Sequence, residues 1–255
     1  MRIGILQAGH VPDELIQETG DYCHLYEKFL SGYGFAFDCY SVVNMQFPAD
    51  ARDADGWLIT GSRHGAYEDL PFIAPLETFI REVFSAKIPL IGICFGHQII
   101  AQALGGTVEK FSGGWSVGAT EYQLDGEQVM LNAWHQDQVT SLPEQARVVG
   151  TSAFCKYAFL RYGDSVFSVQ AHPEFDSSFV QGLIETRGRG VVPDVLLQQA
   201  SEKMSEENSN QYLSERAARF FISRSKAAYA FEEYLCQFNQ SPVPISPSTI
   251  IKPLA

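Results

Sequence analysis

The sequence predicts an α/β protein. Its expected frame is an open, mostly parallel, twisted sheet with helices on both faces, a small antiparallel extension and a helical C-terminal extension. Two observations carry this. Between Met1 and Gly106, strand-like and helix-like segments alternate, the rhythm of parallel strands joined by crossover helices. From about Val108 to Val169 the texture changes to short alternating segments separated by turns, and beyond His172-Pro173-Glu174 it becomes helical.

Taken in order, "RIGILQA" reads as a buried strand, and "YCHLYEKFLSGYG" has helical spacing and stops at glycine. "FDCYSVV" and "DGWLITGS" are strand-like, "APLETFIREVFSA" is helical, and "PLIGIC" runs as a strand into the helical "HQIIAQALGG". The segments "ATEYQLD", "EQVMLNAW", "ARVVGTS", "AFLRYG" and "SVFSVQA" read as the strands of the extension. Helical patterns return in "SSFVQGLIETRG", in "PDVLLQQASEKM", and in a long segment from Asn210 to Phe238. Pro193-Asp194 and Asn210 act as start signals for the last two. The division expected is a catalytic unit over 1–184, a helical extension packed on it over 185–240, and a proline-rich tail over 241–255.

The chain of 255 residues, 45% hydrophobic, is long enough for one large core. No apolar run approaches the roughly 20 residues that cross a bilayer, and the N-terminal stretch has no secretory cleavage pattern, so a cytoplasmic protein with no membrane partner is expected. A net charge of −12 repels a phosphate backbone and argues against nucleic acid. Five scattered cysteines, an odd number, argue against a disulfide framework and for a reduced compartment.

The chemistry begins at "GICFG", where glycines stand two residues before and two after Cys94. A nucleophile on a sharp strand-to-helix turn sits in a strained backbone, and neighbouring chains pass close to it. Glycine at 92 and 96 removes the side chains that would clash. The following helix aims its N-terminal N–H groups at the sulfur, a setting that suits a nucleophile, and makes the Phe95 N–H a donor for an oxyanion. The pentapeptide alone does not separate this from a buried cysteine at a strand end.

A base comes from "QAHPEF". In extended backbone, residues i and i+2 face the same way, and Pro173 keeps His172 out of the helical region. His172 and Glu174 then lie side by side, the carboxylate orienting the imidazole. A surface His-x-Glu and a metal pair are the competing readings, but the later Pro-Cys-x-x-Cys of a zinc deaminase is missing. His64, His97 and His135 are the other candidate bases. His97, three residues after Cys94, is expected to pack locally, and His135 is a candidate substrate contact.

"GICFGHQ" and "QAHPEF", in this order on this α/β pattern, resemble the class I glutamine amidotransferase family, as does "LITGS" from Leu58 to Ser62. The resemblance covers roughly Met1 to Ile184 and implies a flavodoxin-like fold. It implies a Cys94–His172–Glu174 triad acting on the γ-carbonyl of a glutamine-like group through a γ-glutamyl thioester. It further implies that Gly61 and Phe95 supply the oxyanion-hole N–H groups and that Gln98 binds the amino-acid end of the substrate. No cofactor and no metal are called for.

In "AWHQDQV", His135 and Asp137 match a "SHGD"-like segment of glutamine-binding members, while Trp134 and Gln136 depart from it. His135 and Gln136 are therefore candidate substrate contacts, with glutamine itself less secure than γ-glutamyl chemistry. Arg63 and Trp115, in glycine-bearing loops, are candidate pocket walls. With no phosphate-cradling loop in the chain, any ammonia-using synthase is a separate subunit. The alternatives are a stand-alone γ-glutamyl peptide or amine hydrolase and, from another class, a non-catalytic ligand-binding or regulatory module. A cysteine-based redox or chaperone role leaves "HPE" without a task. A homo-oligomer is left open.

Overall fold

The computed structural model describes residues 1–224. The stretch of the long helical segment beyond 224 and the proline-rich tail lie outside the described residues. In chain order the elements are β1 (Arg2–Leu6), α1 (Asp13–Thr19), α2 (Tyr22–Phe29), β2 (Ala36–Tyr40), β3 (Gly56–Ile59), α3 (Ile73–Ser85), β4 (Leu90–Ile93) and α4 (Phe95–Ala103). Then come β5 (Thr107–Lys110), β6 (Ser116–Leu124), β7 (Glu127–His135), β8 (Asp137–Ser141), β9 (Ala146–Ser152), β10 (Phe159–Tyr162) and β11 (Val166–Val169). The chain continues in α5 (Ser177–Leu183), α6 (Asp194–Glu202) and α7 (Asn210–Ser223).

Nine strands form one sheet in the order β2-β1-β3-β4-β11-β10-β9-β6-β7. The first five are mutually parallel, and β10, β9, β6 and β7 continue the sheet antiparallel. This is the open, mostly parallel α/β sheet with an antiparallel extension, the flavodoxin-like arrangement that the sequence predicts.

Alternation assigns the two faces. Ile3, Ile5, Leu58, Ile91 and Ile93 pack with α2, α5 and α7 on one side. Leu6, Trp57, Ile59 and Leu90 pack with α3 and α4 on the other. β3 and β4 are buried on both faces, which is why they read as unbroken apolar runs. Helix α7 contributes Leu213, Ala217, Phe220 and Phe221 to the same core as the sheet, so this part of the extension is bound by ordinary apolar burial.

Three features differ from the sequence reading. Helix α1 is an additional element; Pro12 before Asp13 and Glu14 is a start signal that the pattern carried. β5 and β8 leave the main sheet and pair with each other. Cys23 and Cys39 are joined in a disulfide, their Cα atoms 6.1 Å apart. The odd count argued against pairing, yet α2 and β2 pack side by side and bring together two cysteines 16 residues apart. Cys94 and Cys155 are free. No helix among the described residues is long and apolar enough to cross a membrane.

Candidate active site

The carboxyl ends of the parallel strands converge, and there the ligand crevice of an open α/β sheet forms. β4 ends at Ile93, and the next residue is Cys94, whose φ of 53° and ψ of −104° lie outside the regions ordinary side chains favour. The turn is held by Cys94 N–H donating to Val169 O at 2.8 Å and by Gln98 N–H donating to Cys94 O at 3.1 Å. A Cβ at Gly92 would lie 2.4 Å from Gly96 O, and one at Gly96 would lie 2.3 Å from Ile59 O. Both glycines are therefore required by close backbone approach.

β11 runs on into the segment bearing His172 and Glu174. His172 Nδ1 and Glu174 Oε1 are 2.7 Å apart, with both side chains almost wholly buried. The segment is pinned by His172 N–H donating to Asn132 O at 2.8 Å and by Asn132 Nδ2 donating to Phe175 O at 3.0 Å. The His172 ring lies flat on Phe175, with centroids 4.0 Å apart. Burial pulls the imidazole down, but the nearby Cys94 sulfur and the hydrogen-bonded Glu174 carboxylate outweigh that and hold it well above the usual histidine range.

Tyr26, on α2, donates its hydroxyl to Glu174 Oε1 at 2.6 Å. The Gly61 N–H is directed at the same hydroxyl at 3.4 Å. Gly61 lies against the cluster: a Cβ there would come within 2.9 Å of His172 Cε1. Phe95 opens α4, where first-turn N–H groups have no intrahelical acceptor.

Gln170 was not singled out from the sequence. Wholly buried, it donates Nε2 toward Cys94 Sγ at 3.6 Å and accepts from Gln98 Nε2 at 3.2 Å. Gln98 also donates to Asp137 O at 2.9 Å, so its amide N–H groups are spent on the protein. The signal was present: Gln170 precedes His172 by two residues, the same spacing that relates His172 to Glu174. Tyr26 and Asn132 left no such trace, because they reach the site from elements distant in sequence.

One cavity of about 550 Å³ joins these parts, lined among others by Cys94, Gln98, His135, Gln136, His172, Arg63 and Trp115. His135 is buried, with Nδ1 3.3 Å from Asp137 O and Nε2 unpartnered among the described residues. Burial, and then the charge on His172, push its ring down to about 3, so it stands neutral. His97 turns away from the cavity and meets Ser168 Oγ at 2.8 Å.

A cysteine on a strand-to-helix turn, with a histidine and a carboxylate at the ends of the same parallel sheet, is an arrangement that fits an α/β enzyme of the amide-cleaving type. The chain belongs to the glutamine amidotransferase class-I family, whose model matches residues 28–184. It is similar to a glutamine amidotransferase-like protein of Schizosaccharomyces pombe, 26% identical over 86% of this chain and 98% of that one. It is also similar to Gamma-glutamyl peptidase 3 of Arabidopsis thaliana, 28% identical over 68% of this chain and 76% of that one. The crystal structure of a glutamine amidotransferase from Methylobacillus flagellatus superposes with a TM-score of 0.68 at 20% identity, covering 89% of this chain and 95% of that chain. The family match and the names of these relatives are consistent with hydrolysis of the γ-amide of glutamine or of a γ-glutamyl compound.

Proposed function

We propose that Cys94, His172 and Glu174 form the working triad and that the protein is a stand-alone hydrolase of γ-glutamyl amides, with peptides ahead of glutamine. The observation that carries this is the buried His172–Glu174 pair set against a cysteine held at positive φ. The similarity to a γ-glutamyl peptidase supports the peptide preference. So does the cavity, whose volume falls in the range of about 300–1,000 Å³ that takes ligands larger than one amino acid.

In this mechanism His172 takes the Cys94 proton as the sulfur bonds to the γ-carbonyl carbon, and the Phe95 N–H holds the resulting oxyanion, joined by the Gly61 N–H as it leaves the Tyr26 hydroxyl. His172, its other nitrogen engaged by Glu174, passes a proton to the departing nitrogen as the C–N bond breaks, leaving a γ-glutamyl thioester. His172 then takes a proton from water as the water oxygen bonds to the same carbon. The C–S bond breaks, glutamate leaves and the thiol is restored. Gln98, His135 and Gln136 belong to the substrate wall in this proposal, Gln98 through its carbonyl oxygen.

The test is a panel of glutamine, γ-glutamyl amines and γ-glutamyl peptides, read by glutamate release, with mass spectrometry of Cys94 after exposure to diazo-oxo-norleucine. Glutamate release with adduct on Cys94 is the expected result. An unmodified Cys94 together with full turnover in Cys94→Ala would end the proposal. Ammonia from glutamine alone would favour an amidotransferase whose synthase is another chain.

Gln170→Leu carries an expectation of its own. The change removes the N–H directed at the sulfur and strands the Gln98 amide, so kcat is expected to drop about tenfold, the worth of roughly one buried hydrogen bond. KM should stay near wild type, and alkylation of Cys94 by iodoacetamide should slow in parallel. A variant with unaltered kcat and alkylation rate would reduce Gln170 to a packing residue.

A further inference from the structure

Helices α6 and α7 take no part in the chemistry above, yet the chain that joins them reaches the segment bearing the base. The meeting place is the free edge of β7, the last strand of the sheet. Alternate residues of a strand aim their N–H and C=O groups at the same edge, and an edge strand leaves that row unpaired. Along β7 two such residues are claimed by different partners. At Asn132 the carbonyl accepts the His172 N–H, in an isolated antiparallel bridge. At Met130 the carbonyl accepts the Ser209 N–H at 2.7 Å, and the Met130 N–H donates to Ser209 Oγ at 3.1 Å. Ser209 stands just before α7, but its hydroxyl serves β7 and makes no capping bond to the helix. The start of α7 therefore lies beside the His172 segment on one strand edge.

The two are also tied to each other. Asn210, the first residue of α7, donates Nδ2 to Phe175 O at 2.8 Å, and Asn132 Nδ2 donates to the same oxygen at 3.0 Å. A carbonyl oxygen has two lone pairs, so both amides are accommodated. Ser177 Oγ adds a further link, donating to Met204 O at 2.8 Å in the chain ahead of α7. Phe175 is the residue these bonds fix, and its ring is stacked on His172 with centroids 4.0 Å apart and planes 3° apart. Glu174 holds one imidazole nitrogen, and the Phe175 face sets the plane in which the other lies.

We propose that Asn210 is a positioning residue for His172: through the Phe175 carbonyl it holds the ring that sets the imidazole plane, so that α7 completes the active site. This rests on the triad reading above. Asn210 touches neither substrate nor the reacting atoms. Its effect falls on turnover rather than on binding, because only the alignment of the base changes.

The experiment uses Asn210→Asp in the full chain. Aspartate keeps the shape, puts an acceptor where the amide donated, and suits the first turn of a helix, so α7 itself is not weakened. For the best γ-glutamyl substrate of the panel, kcat is expected to fall about tenfold with KM near wild type, the loss of one buried hydrogen bond. The proton between His172 Nδ1 and Glu174, read by NMR as a downfield imidazole resonance, should shift or broaden in parallel. Tyr212→Phe is the control, since it removes the 2.6 Å bond that the same helix makes to Glu127. It is expected to leave both kcat and the resonance at wild-type values. Asn210→Ala, which leaves the Phe175 carbonyl to Asn132 alone, decides the question if the aspartate variant does not fold. Unaltered kcat and resonance in the Asn210 variants would overturn the proposal. So would a fall in kcat that Tyr212→Phe reproduces, or one that leaves the resonance unmoved. If wild type releases no glutamate from any substrate of the panel, the hydrolase reading falls, and the His172 resonance alone decides for or against Asn210.

Discussion

Cys94→Gly is expected to silence the protein and at the same time to raise its melting temperature. In the mechanism proposed above, loss of the sulfur removes the group that forms the thioester, and removal of one member of such a triad costs about 10⁴-fold or more in turnover. The backbone at Cys94, with φ of 53° and ψ of −104°, carries strain that glycine does not share. Such strain is worth about 1–3 kcal/mol. The greater freedom of glycine in the unfolded chain and the lost packing of a small buried side chain offset part of it. A net gain of about 1 kcal/mol would shift the midpoint by about 2–4 °C in a domain of this size. Cys94→Ala is the control: it keeps the Cβ and the strain, and is expected to be as inactive with no gain. Calorimetry of both variants decides the matter. If the glycine variant melts no higher than the alanine variant, strain at the turn is not the cause.

Gly96→Ala is expected to be among the most damaging single methyl additions to the chain. The new Cβ would stand 2.3 Å from the carbonyl oxygen of Ile59, which is backbone in the neighbouring strand β3. No flexible side chain is available to yield, so either α4 moves off the sheet or β3 shifts. Overpacking of this kind costs about 1–3 kcal/mol and more where backbone must move. Either shift also carries Cys94 and Phe95 away from His172. We expect poor recovery of folded protein, a melting temperature at least about 5 °C lower, and turnover reduced about 100-fold in what remains. Gly32→Ala is the comparison, since a Cβ there meets nothing within 4 Å and only its φ of 86° opposes the change. If Gly96→Ala melts with wild type and retains its rate, the close-approach account is wrong.

Much of the site was legible because the chemistry sits on short local patterns. "GICFG" marks a turn with close backbone neighbours, and "HPE" places an imidazole and a carboxylate on one face of extended chain; the structure has the turn strained and the pair 2.7 Å apart. The same period-two argument reached Gln170 and was not applied to it. Tyr26 and Asn132 were beyond reach, because each meets the His172–Glu174 segment from an element far away in sequence, α2 and β7 respectively. The disulfide escaped for the same reason: counting cysteines says nothing about which strand lies beside which helix. The pairing of β5 with β8 was also illegible, since short alternating segments fit many registers until the long β6–β7 ribbon excludes most of them.

By itself the sequence determined the α/β rhythm, the parallel core, the turn at Cys94 and the adjacency of His172 and Glu174, all of which follow from steric and periodic rules acting over a few residues. The tertiary structure alone decided that Gln98 spends its amide N–H groups on Gln170 and Asp137, that Tyr26 ties Glu174 to the Gly61 loop, and that Arg187 and Asp137 line one cavity. These depend on which elements the sheet order brings together, and long-range packing, unlike a turn, leaves no local spacing to read.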